Sequence, residues 1–74
     1  MIDEIIEILK QMGIEEEMDN NTNLISDLYL DSAELVSLRL ELKKKFNVDI
    51  SLNSNEELTI QELKQKIEGE MNNE

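Results

Sequence analysis

Apolar residues recur at intervals of three and four in three stretches of this chain, and polar stretches break the rhythm between them. The first stretch is Ile2, Ile5, Ile6, Leu9 and Met12, with Ile8 on its flank. That spacing lays one apolar stripe along a helix of about residues 2–12, and Gly13 supplies a C-terminal stop. The second is Leu35, Leu38, Leu42 and Phe46, the inward face of a helix predicted from Ser32 to Phe46. Val36 and Leu40 make a second apolar strip beside that face. Asp31 suits the N-cap, and Glu34 three residues later makes a variant of the capping box. The third stretch is Ile60, Leu63, Ile67 and Met71, on a helix over about residues 60–71 that Thr59 and Glu62 open as another capping box.

The connections are legible in the same way. Residues 14–30 are rich in Asp, Glu and Asn, and Asp and Asn favour turns by bonding to nearby backbone. Leu24, Ile25 and Leu28 within that segment are expected to tuck into the core and pin it. A pinned connection of this length is uncommon unless it serves a function. Asn47 to Ser51 forms a short exit with Val48 and Ile50 pointing inward, and a minor helical turn is expected near residues 54–58. The alternation from Val48 to Leu52 is short and has no pairing partner, so strands are not expected. The fold class that follows is all-α, a small bundle of three long helices plus one short helix, in one domain over residues 1–74.

Composition narrows what such a bundle can do. With 74 residues it has little room for a deep enzymatic pocket. It has no cysteine and no histidine, so it lacks a thiol nucleophile, a thiolate metal site and the usual proton shuttle at neutral pH. Catalysis by the chain itself is not expected. Eighteen acids against seven bases give a net charge of −11, a poor surface for nucleic acid and a good one for encounter with other proteins. The acidic start at Asp3 and Glu4 does not read as a signal peptide, and no apolar run approaches a membrane span. The expectation is a monomeric, cytoplasmic protein. Asp19 to Asn23 imitates the start of a calcium loop, but Leu24 and Leu30 stand where that loop needs Gly and Glu. No metal site is expected, and Glu15, Glu16 and Glu17 read as a solvated face.

The stretch with chemical content is Asp27-Leu28-Tyr29-Leu30-Asp31-Ser32-Ala33-Glu34-Leu35-Val36. It puts a serine hydroxyl in the first turn of an amphipathic helix, straight after a loop. The backbone N–H groups and the dipole of a helix start favour an attached phosphate. On spacing alone, Asp31 and Ser32 also read as an ordinary helix start. The surrounding pattern tips that balance. Asp27-Leu28, Asp31-Ser32, Leu35-Val36, Leu38, Leu42, Phe46, Val48, Ile50, Thr59-Ile60 and Leu63 lie in one register. From Asn20 to about Ile67 the chain resembles the acyl carrier protein family, the phosphopantetheine-dependent carrier proteins.

The resemblance implies an acyl-carrier-like bundle in which a separate phosphopantetheinyl transferase attaches 4′-phosphopantetheine covalently to Ser32. Asp31 is implied as the motif residue and helix cap. The terminal thiol of the arm is implied to hold an acyl or aminoacyl group as a thioester. A loading enzyme and a downstream acyltransferase or synthase are the implied partners. Some members of the family hide the cargo between helices. An unmodified helical adaptor that kept the fold and lost the arm is the alternative reading.

Several positions depart from the family pattern. Tyr29 stands at the usual Gly of the turn, Ala33 at the usual Leu after the serine, and Ser51 where Pro is common. Lys43, Lys44 and Lys45 replace an acidic run at the end of the second helix. Residues 31–46 therefore carry three acids and four bases, a net of +1, against −12 for the rest of the chain. Ala33, Val36, Arg39, Leu40, Lys43 and Lys44 are the expected partner-binding residues, facing enzymes of a dedicated biosynthetic pathway.

Overall fold

The computed structural model describes residues 1–71 and contains three helices: α1 (Ile2–Gln11), α2 (Ser32–Phe46) and α3 (Ile60–Met71). Helix α1 carries Asp3 and Glu4 in its first turn and Lys10 in its last, each matched to the nearer pole of the helix dipole. It ends in a left-handed stop at Gly13, where φ is +100°. The Ile14 N–H reaches the Leu9 carbonyl at 3.1 Å, and the Gly13 N–H reaches that of Lys10 at 3.0 Å. This pair of bonds satisfies carbonyls at the end of α1 and turns Ile14 back into the core.

Ile5, Ile8 and Leu9 are the buried residues of α1, while Ile2, Ile6 and Met12 are only half-buried. The stripe is thus rotated from its expected position: Ile8 lies in the core and Ile6 on the flank. Isoleucine occupies positions 2, 5, 6 and 8, so the helix is apolar over a wide arc. Packing of α1 against both α2 and α3 decides which part of that arc is covered.

Helix α2 buries Leu35, Leu38 and Leu42, and α3 buries Ile60, Leu63 and Ile67. Two expected inward residues lie further out. Phe46 is half-buried at the end of α2, and Met71, at the last turn of α3, is exposed. Val48 and Ile50 point inward as expected, joined in the core by Leu24, Leu28, Leu30 and Leu58. Asn47 ends α2 with φ 56° and ψ 41°, a conformation that asparagine tolerates better than most residues.

The short fourth helix does not form. At residues 53–56 a single turn is closed by the Asn55 N–H on the Asn53 side chain at 2.9 Å and the Glu56 N–H on the Asn53 carbonyl at 3.1 Å. Beyond it the chain stays extended, because Leu58 is buried and its carbonyl accepts from the Leu24 N–H at 2.8 Å. The Ile60 N–H returns to the Thr22 carbonyl at 2.9 Å, so Asn23 and Thr59 form an isolated antiparallel bridge. The same seam continues with the Asn20 side-chain amide on the Gln61 side chain at 2.7 Å. There is no strand among the described residues. The long connection is therefore pinned twice, by its apolar residues and by backbone bonds to the entry of α3.

Candidate functional site at the start of α2

Three layers of local structure set Ser32 in place. Asn23 opens the turn before it, its side-chain oxygen accepting from the N–H groups of Ile25 at 2.9 Å and Ser26 at 3.0 Å. Asp27 reaches back to accept from the Asn23 N–H at 2.8 Å. The turn closes with the Leu30 N–H on the Leu24 carbonyl at 3.1 Å, and Tyr29 takes a positive φ of 54° to allow it. Leu28 and Leu30 then sink into the core on either side of the exposed Tyr29.

Asp31 follows in extended backbone and caps α2. Its carboxylate accepts from the Glu34 N–H at 2.8 Å, and the Glu34 carboxylate accepts from the Asp31 N–H at 3.1 Å. The capping box is complete, and the Asp31 carboxylate is committed to it. The Leu35 N–H takes the Asp31 carbonyl at 2.9 Å. Of the first-turn donors, those of Ser32 and Ala33 have no partner among the described residues. Ser32 itself is exposed. An open hydroxyl beside two unspent N–H donors at the positive end of a fifteen-residue helix fits a phosphodiester, and the capping box turns the Asp31 carboxylate to the Glu34 N–H.

The expected partner-binding residues lie along the outer face of α2, opposite Leu35, Leu38 and Leu42. Val36 and Leu40 are 58% and 57% exposed, and Ala33, Arg39, Lys43 and Lys44 are exposed as well. Val36, Arg39, Leu40 and Lys43 line one shallow recess together with Asp49. Asp49 was not among the expected site residues. Its Oδ1 accepts from the Arg39 Nε at 2.8 Å and lies 2.7 Å from Nη2, so Arg39 stands on this face as half of an exposed ion pair with the exit segment. Lys44 lies outside the recess with its Nζ 3.7 Å from Glu41, and Lys45 leans toward Glu4 of α1 at 3.9 Å. Tyr29 was noted only as a departure, yet it is the most exposed large apolar residue near the serine, at 78%.

The interior next to the site is closed. A cleft of about 10 Å³ lies among Leu24, Leu35, Leu52 and Leu58, roughly the room of one water molecule. No described residues cluster as a metal site, and no helix of the described residues is long and apolar enough to cross a membrane.

Comparison with known proteins agrees with this geometry. Residues 3–67 match the family model described as the phosphopantetheine attachment site. An acyl carrier protein of Chlamydia caviae is 38% identical over 52 residues, covering 69% of this chain and 68% of that protein. The crystal structure of a type II peptidyl carrier protein, ColA1a of collismycin biosynthesis, superposes with a TM-score of 0.74 at 30% identity. That likeness covers 92% of this chain and 91% of the other. The chain belongs to the acyl carrier protein family, whose members are carriers rather than enzymes and bear a covalently attached 4′-phosphopantetheine.

Proposed function

We propose that Ser32 is the attachment point of the arm and that residues 1–74 form one carrier domain. The cargo is an acyl or aminoacyl group, and the users are enzymes of a dedicated biosynthetic pathway. The observation that carries this reading is the exposed Ser32 hydroxyl at the capped start of α2, beside the unpartnered N–H groups of Ser32 and Ala33. When bound, the arm supplies a terminal thiol that holds the cargo as a thioester, which a chain without cysteine cannot do itself.

The chain's own residues have separate tasks. Asp31 and Glu34 lock the first turn, so that Ser32 is presented on rigid backbone to a phosphopantetheinyl transferase. Ala33, Val36, Arg39, Leu40, Lys43 and Lys44 form the face on which the loading enzyme and a downstream acyltransferase or synthase dock.

Incubation with coenzyme A and a broad-specificity phosphopantetheinyl transferase, followed by intact mass spectrometry, tests the assignment. The wild-type chain should gain one phosphopantetheine and Ser32→Ala none. A gain on the alanine variant would move the site elsewhere. No gain on the wild type would favour the adaptor reading.

A further inference from the structure

We infer that the outer face of α2 docks on an acidic partner surface, with carboxylates opposite Lys43 and Lys44 and an apolar recess for Val36 and Leu40. The inference rests on the carrier reading for what the partner does, but recognition depends only on the face itself.

Intramolecular pairing decides which charges remain to be read. At the start of α2, Asp31 and Glu34 bond to each other's backbone and keep their negative charge, so the positive part of the face is the C-terminal half of the helix. Arg39 is held by Asp49, and Lys45 is turned toward α1. Lys43 has no carboxylate within 4 Å among the described residues, and Lys44, although 3.7 Å from Glu41, is 75% exposed against 41% for Lys45. Lys43 stands at the rim of the recess that holds the exposed Val36 and Leu40. The face therefore offers an aliphatic centre with a cationic edge, and the spacing of positions 36, 40, 43 and 44 keeps these residues on one side of the helix.

The rest of the chain makes this edge selective. Four of the seven basic residues lie in α2, and the residues outside 31–46 carry −12. The surface outside α2 repels an acidic partner on balance, which favours approach onto the lysines. A basic partner is attracted by the remainder of the surface and gains no guidance toward the serine.

A charge swap on a defined enzyme tests this. The probes are a fatty-acid acyltransferase with a basic docking face and a variant of it with the docking-face Lys and Arg changed to Glu. The variant is first checked for retained thioester hydrolysis. Binding of the isotope-labelled chain is followed by NMR without the arm. At about 0.15 M salt, where a screening length of about 8 Å confines charge effects to the docked face, the Glu-faced enzyme should bind about tenfold more tightly than its parent. Shifts should centre on Val36, Leu40, Lys43 and Lys44. The preference should fade at about 1 M salt, where the screening length is about 3 Å. K43E/K44E should reverse the preference. K43Q/K44Q, which puts no acid at the helix C-terminus, should erase it. Equal affinity for both enzymes, or shifts centred outside α2, would overturn the inference. A chain that prefers the Glu-faced enzyme but never accepts phosphopantetheine would sink the carrier reading and leave this one standing.

Discussion

The two ends of α2 are built on different terms. The N-terminal end is made by near neighbours: Asp31 and Glu34 exchange hydrogen bonds across three residues and leave Ser32 open. The C-terminal half also draws on residues outside the helix: Asp49 holds Arg39, and Glu4 of α1 meets Lys45. Each end is flanked by a residue in the left-handed region, Tyr29 before the helix at φ 54° and Asn47 after it at φ 56°. Asparagine is at ease there, whereas a bulky aromatic is not. The first end matches the chemistry shared by the whole family, and the second carries the charge that sets this chain apart. On the proposed reading, attachment and recognition are separated along one helix.

Ser32→Ala makes the largest break. Attachment of the arm should be lost entirely, while stability stays within about ±0.5 kcal/mol because only one exposed hydroxyl is removed. Thermal unfolding beside intact mass checks both halves of that statement.

Paired cap removals sharpen the separation further. Asp31→Ala and Thr59→Ala each delete the side chain of a capping box, and each should cost about 1 kcal/mol in denaturant melts. Only Asp31→Ala should also slow arm attachment, since only that cap positions the serine. Equal effects on attachment would mean that the site responds to global stability alone.

The left-handed residues give a smaller contrast. Tyr29→Gly relieves a strained backbone and should stabilise the fold by up to about 1 kcal/mol, after the added freedom of the unfolded chain is set against it. Asn47→Gly should change stability by only a few tenths of a kcal/mol, because asparagine already accepts the conformation.

Smaller again is the Arg39–Asp49 pair, whose side chains are 48% and 66% exposed. A double-mutant cycle with Arg39→Met and Asp49→Asn should give a coupling below about 1 kcal/mol that shrinks with added salt. A larger, salt-insensitive coupling would show that the exit segment depends on this pair.

The least effect is expected from acid. The Thr59 N–H and hydroxyl hold the Glu62 carboxyl below its ordinary range, the backbone bond contributing most. Because the folded value is the lower one, the stabilisation is present above the ordinary glutamate range and is lost as pH falls through the folded value. Melting temperature against pH should show a shallow decline on acidification that Glu62→Gln flattens.

How far the chain could be read in advance follows the reach of each interaction. The bounds of α2 and α3, both capping boxes, the open serine and the inward Val48 and Ile50 were all legible. Each rests on helical periodicity or on bonds that span a few residues. The turn at Tyr29 was half legible: a residue stood where the family has Gly, but only the backbone shows it forced into the left-handed region.

The sequence by itself determined three helices, their caps and the place of Ser32, because propensity, capping and amphipathic spacing act over three or four residues. Tertiary structure alone decided that Ile8 is buried and Ile6 flanks it, since a wide apolar arc has no preferred centre until α2 and α3 cover it. It also decided that residues 57–59 stay extended, because the Leu58 carbonyl is claimed by a residue more than thirty positions away. And it decided that Arg39 is held while Lys43 is left open, an outcome of where Asp49 comes to rest after the chain turns at Asn47.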